Sequence, residues 1–286
     1  MSAVRVGIIG PGRAGVGLAL ALRRAGYSVL GLHGRRWKRL PRGLSLSVGG
    51  EPPWLEKADV VLLAVRDDSL GPLVDTLASA GGLRRGQVFL HLSGVLPAAV
   101  LRQLKRCGAR TGAMHPLMTV SADPRRAAER FRGATFALEG EAAAVRAARS
   151  MALRLGGLPV VIRPAARARY HAGAVFASNY VVVMLAAAEQ LLVDAGLRRV
   201  AARRALLPLA LASLENVWEG GPAVALTGPI RRGDAGTVRR HWQALPERVR
   251  RLYGAIGGAA LDLAVEAGLP AADAKRVRAA LKGGSE

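Results

Sequence analysis

The stretch that decides the fold is Val4–Gly17, which reads VRVGIIGPGRAGVG. Apolar residues and glycine run straight into a glycine-rich turn, and Ala14–Ala25 behind it is rich in Ala and Leu. A short apolar run predicts a central parallel strand buried on both faces, and the Ala/Leu-rich stretch predicts a helix. Between them, Gly10-Pro11-Gly12-Arg13-Ala14-Gly15 fits G-x-G-x-x-G. Gly10 permits the tight turn, Gly12 lets backbone approach a pyrophosphate, and Gly15 lets the helix pack hard on the strand. The helix N-terminus offers free N–H groups and a positive dipole end to phosphates. With strand before and helix after, the pattern reads as a dinucleotide-binding turn.

Bulk composition sets the frame around that turn. A length of 286 residues allows about two domains, and 51% hydrophobic residues suffice for a sizeable core. Aromatics are only 4%, so that core is mostly Ala, Leu and Val. The single cysteine, Cys107, excludes an intramolecular disulfide framework and fits a reducing compartment. The N-terminal apolar run is too short for a signal peptide, and the expected location is cytoplasmic. The net charge is +22, nearly all from arginine, since lysine occurs only at 38, 57, 105, 275 and 282. Those arginines are scattered rather than gathered into a patch with stacking aromatics, which argues against nucleic acid as a partner. They still favour small anionic ligands.

The second strand is expected at Ser28–Leu32, followed by His33-Gly34-Arg35-Arg36. This is where an NAD-binding domain often places an acid for the ribose 2′-hydroxyl, and here no acid is present. Two guanidiniums after a glycine suit the 2′-phosphate of NADP instead, so NADP(H) is the expected cofactor. Further strands are expected at Leu44–Val48, Ala58–Val65, Gln87–Leu92, Thr111–Met114, Ala134–Leu138 and Leu158–Ile162. In a doubly wound sheet, ligands lie beyond the carboxyl ends of the strands. That places Ala64, Val65 and Arg66, and likewise Ser93 and Gly94, beside the cofactor. Asp68 or Ser69 is placed to cap the helix that runs to Ala80. Helices are also expected at Pro97–Lys105 and Glu141–Leu155.

Composition changes at Arg163-Pro164, beyond which strand-like alternation stops. The expected architecture is an α/β Rossmann domain, mostly parallel and doubly wound, over residues 1–164, followed by an all-α domain over 165–286. Tyr170–Val193 is the longest helical stretch and carries no formal charge between His171 and Glu189. Its apolar run is at the lower limit for a membrane span and contains Ser178 and Asn179. A helix apolar all round is more often a buried axis, so a homodimer is expected and a membrane is not. Further helices are expected at Val200–Trp218, Ala235–Leu245, Pro246–Glu266 and Ala271–Leu281, with a polar loop at Thr227–Asp234.

With these motifs in place, the chain resembles the superfamily of 6-phosphogluconate dehydrogenase, ketopantoate reductase and pyrroline-5-carboxylate reductase. More closely, HLSG at 91–94, MHP at 114–116, YHAGAVFASNY at 170–180 and TGPIRRGD at 227–234 resemble the Rossmann-like family with a DUF2520 C-terminal domain. The resemblance covers nearly the whole chain. It implies an NADP oxidoreductase, with an alternative form of ketopantoate reductase as the favoured example. Hydroxyacid dehydrogenases of the superfamily carry a catalytic Lys four residues before an Asn. With Asn179 as that Asn, the Lys position holds Val175, so a lysine-based mechanism is not implied.

Reduction of a carbonyl or imine needs a proton donor and groups that hold the substrate. Of five histidines, His171 at the start of the long helix is the first candidate and His115 the second. His33 belongs near the adenosine end, His91 inside a strand, and His241 on a late helix. Ser178 lies about 20° from the His171 face and about 10.5 Å further along an α-helix, with Asn179 at the edge of that face. Asn179 is the candidate to orient the substrate. Arg232 suits a substrate carboxylate, with Thr227, Asp234 and Ser178 as further substrate contacts. The motifs of P-loops, nucleophile elbows and zinc sites are absent, and no metal is expected. The main reading is an NADPH-dependent reductase of a small carboxylate-bearing ketone or imine. An imine reductase like pyrroline-5-carboxylate reductase and a non-catalytic NADP-binding sensor are the alternatives.

Overall fold

The computed structural model describes residues 3–284. The chain divides into two compact units, Met1–Asn179 and Tyr180–Glu286.

The first unit is a doubly wound sheet. Its strands are β1 (Arg5–Ile9), β2 (Ser28–Gly34), β3 (Leu46–Val48), β4 (Val60–Leu63), β5 (Val88–His91), β6 (Arg110–Leu117), β7 (Thr135–Gly140) and β8 (Leu158–Val161). They stand in the order β3-β2-β1-β4-β5-β6-β7-β8. All neighbouring pairs are parallel except β6 and β7. Strands β1 and β4 are buried almost end to end, as continuous apolar runs in a two-sided sheet must be. Helices α1 (Arg13–Arg24), α2 (Asp67–Ala80), α3 (Arg102–Arg106), α4 (Pro124–Glu129), α5 (Ala142–Arg154) and α6 (Arg167–Val175) complete the unit. One core lies between α1, α4, α5 and the sheet, around Ile8, Leu18, Leu32, Phe131 and Phe136. The other face is filled by Leu63, Leu70, Val74, Phe89 and Leu104.

Three local expectations are corrected. Neither Asp68 nor Ser69 caps α2, which begins at Asp67 after Arg66; the Ser69 hydroxyl instead bonds Asp68 at 3.0 Å. His115 lies within β6 rather than after a strand end, opposite Ala137 of the antiparallel β7. The Pro97–Lys105 stretch divides into a 3₁₀ turn, Ala98–Leu101, and the short α3.

The division between units falls at 179/180, within the long apolar stretch, rather than at the 164/165 composition change. The reason is α6, whose Arg167 is fully buried in the first unit against Glu139 of β7. The stretch Pro164–Asp194 is long and apolar enough to cross a membrane. Within it Phe176–Tyr180 is a π-helical turn.

The second unit comprises α7 (Val181–Asp194), α8 (Arg199–Ala225), α9 (Gly228–Arg231), α10 (Ala235–Ala244), α11 (Glu247–Glu266) and α12 (Ala271–Ala280). Helix α8 breaks at Gly221, whose φ of 77° precedes Pro222, a residue with no N–H to give a ladder bond. The polar Thr227–Asp234 loop folds one helical turn, α9. The core of this unit is small: Val238, Leu261, Ala264, Val277 and Leu281 on α10–α12 and the residue after them. Glu189 of α7 accepts hydrogen bonds from Arg199 and Arg203 of α8.

Candidate active site

Two cavities of the first unit gather the expected site residues. The first surrounds the glycine turn. Gly10 has φ +108°, and a Cβ there would lie 2.3 Å from the Ala64 carbonyl, so only glycine fits where β1 and β4 end side by side. A Cβ on Gly15 would lie 2.0 Å from the Gly10 carbonyl, whereas beside Gly12 there is open space. Helix α1 starts after Gly12 with no capping side chain and no acid in its first turn. Its leading N–H groups are therefore left for an anion.

A cavity of about 650 Å³ opens here, lined by Pro11, Gly12, Arg35, Arg36, Trp37, Lys38 and Arg66. Gly34 lies under Pro11, where a Cβ would come within 2.6 Å of its ring. Arg66 is paired with Asp68 at 2.9 Å and is the only one of these cations in an ion pair among the described residues. His33 is engaged with Ser47 at 3.0 Å, and its burial lowers its pKa. This donor set fits a dinucleotide carrying an extra phosphate: an open glycine, an uncapped helix start and four cationic side chains.

The second cavity, about 540 Å³, is lined by His115, Leu117, Met118, Thr119 and by α6 and the π turn through Tyr170, His171, Ser178 and Asn179. Here the structure brings the two leading histidines together. Their ring centroids are 6.0 Å apart. Both rings lie over Gly94: a Cβ there would sit 2.5 Å from His171 Cδ2 and 2.9 Å from His115 Nε2. Gly94 thus makes room for the pair. Ser93 is likewise occupied, its hydroxyl accepting from Leu96 N at 3.0 Å and its carbonyl accepting from Arg167 Nη2.

Three further residues were not legible as site residues. Tyr170 Oη lies 2.8 Å from His115 Nδ1. Beneath them the buried Arg167 faces Glu139 at 3.6 Å, and Glu139 accepts from Ala98 N at 2.9 Å. Tyr170 was visible only as the first residue of the YHAGAVFASNY motif, Arg167 only by its place one turn before His171, and Glu139 only as a carboxylate in an otherwise apolar strand. Burial, with His171 and Arg167 nearby, pulls His115 down to about pKa 4. Burial pushes Tyr170 up to about 12, against the opposing charge of Arg167. Both groups are neutral near pH 7. His91, fully buried at the end of β5, is lowered to about 3 by burial and by Arg167.

The π turn alters the spacing expected for Ser178 and Asn179. Ser178 Oγ lies 2.6 Å from the Ala174 carbonyl and 2.9 Å from Asn179 Oδ1. Its single proton serves one of them at a time. When it serves Asn179, the amide NH₂ is left to donate into the cavity.

Thr227, Arg232 and Asp234 belong to the second unit. Asp234 caps α10, accepting from Thr237 N at 2.9 Å, and hydrogen bonding with the Thr237 side chain and then its backbone N–H lowers the Asp234 pKa. Thr227 and Arg232 flank α9, with Arg232 exposed. His241 bonds Tyr253 Oη at 3.0 Å.

Fold and site together define a class: an α/β unit of the dinucleotide-binding type, followed in the chain by a helical unit. More particularly, the chain carries a Rossmann-like domain, matched over residues 1–116, and a Domain of unknown function, DUF2520, matched over residues 134–260. Among solved structures it is similar to Bacteroides fragilis protein BF3122, assigned as an NADP oxidoreductase, with TM-score 0.75 and 22% identity over 91% of this chain and 98% of that one. Thermotoga maritima protein TM1727 gives TM-score 0.71 and 21% identity, covering 91% and 99%. A pyrroline-5-carboxylate reductase from Coxiella burnetii gives TM-score 0.59 and 15% identity with both chains fully covered. At these identities the likeness is one of fold. No match is found among curated proteins.

Proposed function

We propose that the protein is a reductase that uses NADPH to reduce a small carboxylate-bearing ketone or imine. One observation carries the reading. A single unit holds an arginine-ringed phosphate turn and, along the last residues of β6, a cavity lined by His115, Tyr170, His171 and Asn179. When bound, the reduced nicotinamide supplies hydride. Gly12 and the start of α1 take the pyrophosphate, and Arg35 and Arg36 take the 2′-phosphate. The cluster of His115, Tyr170 and His171 supplies the proton, and the Asn179 amide orients the substrate. Ketopantoate is favoured by the sequence motifs. 1-Pyrroline-5-carboxylate is the second candidate, supported by the Coxiella neighbour's named activity.

The cofactor test is quantitative. A charge-assisted hydrogen bond contributes about 1.5–3 kcal/mol, so Arg35→Ala or Arg36→Ala should weaken NADPH about 10- to 150-fold. NADH binding should hardly change. Equal losses for both cofactors, read by fluorescence titration, would remove the 2′-phosphate assignment. NADPH absorbance with each candidate substrate tests the reaction, and binding without any turnover would leave a non-catalytic NADP-binding role.

A homodimer belongs to the same proposal. Helix α7 buries no residue within this chain, and α8 buries only Ala202. Leu207, Leu209, Leu211, Leu214 and Trp218 stand exposed on α8, Trp218 at 92%. Large apolar side chains exposed in this number suit an interface. A second copy is the occupant proposed, rather than a lipid bilayer. The apolar stretch leading into α7 carries the buried Arg167 and the cavity-lining Tyr170, His171 and Asn179, which a hydrocarbon core would penalise.

A further inference from the structure

We propose that Tyr170 is the proton donor of this cavity and that His115 refills it through the Nδ1···Oη hydrogen bond. The proposal rests on the reductase reading and names the atom that acts within it.

The geometry carries the argument. Tyr170 and His115 both line the cavity, at 2.8 Å from each other, in an edge-on arrangement with ring centroids 5.6 Å apart. Their partnership joins β6 to α6, two elements far apart in sequence. Gly94 leaves the imidazole its seat, and the buried Arg167–Glu139 pair ties the Ser93 carbonyl beneath it. The His171 imidazole lines the same cavity but has no hydrogen bond among the described residues, so it is not wired to a second group in this way.

The charges around His115 decide how a proton would pass. It is faced by Tyr170, His171 and Arg167 from α6, by His91 from β5, and by Glu139 of β7 behind Arg167. Burial and the nearby positive charge disfavour an imidazolium. A relay through the neutral ring avoids that cation. When the substrate carbon of C=X receives hydride, the π pair of the double bond becomes a lone pair on X. The Tyr170 O–H bond breaks and its proton goes to X. The phenolate oxygen takes the Nδ1 proton of His115, and Nε2 takes one from water. The balance is one proton consumed from solvent, with His115 left as its other neutral tautomer.

This mechanism requires resting His115 to hold its proton on Nδ1 and donate to Tyr170. Nitrogen-15 imidazole shifts of the protein without cofactor or substrate read this directly. His115 is expected neutral at pH 7 as the Nδ1–H tautomer, reverting toward Nε2–H in Tyr170→Phe, which keeps the ring and hence the packing. A wild-type His115 held as Nε2–H would overturn the relay, since Tyr170 would then be spending its proton on the imidazole. In the activity arm, losing a positioned acid costs about 10²- to 10⁴-fold. Tyr170→Phe should lower kcat by that order with ketopantoate or 1-pyrroline-5-carboxylate, with NADPH affinity within a few-fold. Turnover within about threefold of wild type would sink the relay and leave the reductase standing, with His171→Ala then expected to carry the loss. Absence of NADPH binding in the wild type would sink both.

Discussion

The two units differ in where their apolar side chains end up. In the first, both faces of the central strands β1, β4 and β5 are covered from within the chain, and Ile8, Leu62, Phe89 and Phe136 are fully buried. In the second, a modest core on α10–α12 coexists with α7 and α8, whose leucines and valines face outward. The first unit is therefore a finished hydrophobic object whose special features are polar: an arginine-ringed turn and a histidine-lined cavity. The second is unfinished by the same measure. The difference teaches that two units of similar hydrophobicity can present opposite surfaces: one polar cavities, the other exposed apolar side chains.

The sharpest way to break this contrast is in the finished core. Phe136→Ala removes a fully buried ring stacked on Phe131, with centroids 6.1 Å apart. It should destabilise the first unit by about 3–5 kcal/mol, read by calorimetry. A loss below about 1 kcal/mol would show that this core is looser than its burial implies.

Acid should act on the same unit next. His91 and His115 have folded pKa values near 3 and 4, below the ordinary imidazole value. The fold holds them neutral while the unfolded chain takes up protons, so stability rises with pH between about 4 and 6.5. Between pH 6.5 and pH 5 each imidazole should cost the first unit about 2 kcal/mol. His91→Leu should remove its share of that slope. An unchanged slope in the variant would mean that His91 is charged or solvated in the fold.

The smallest effect on folding is expected in the second unit. Leu209 is 66% exposed, and its replacement by Glu should change subunit stability by about 0.5 kcal/mol or less. Paired with Trp218→Glu, it should nonetheless convert a dimer to monomer in light scattering. A wild type already monomeric at micromolar concentration would remove the proposed partner.

Much of the first unit was legible because its signals are local. The glycine spacing, the run of buried strands and the arginines at the end of β2 each concern neighbours in sequence. The helical nature of the second unit was legible for the same reason. The strand expected at Thr111–Met114 stopped one residue short of His115, which lies within β6. The antiparallel partner β7 supplies the pairing that carries β6 on to Leu117, and that partner comes from later in the chain.

The sequence by itself determined a glycine-turn α/β unit, a helical unit, and His115, His171 and Asn179 as the polar residues to watch. Only the tertiary structure decided that Gly94 seats both imidazoles, that Tyr170 meets His115, and that Arg167 lies buried against Glu139. It also placed Ser178 and Asn179 within a π turn, resetting their spacing from His171. The physical reason is range. Helix and turn preferences are set within a few residues, whereas a hydrogen bond across 55 positions or a buried ion pair exists only once packing has excluded water between its partners.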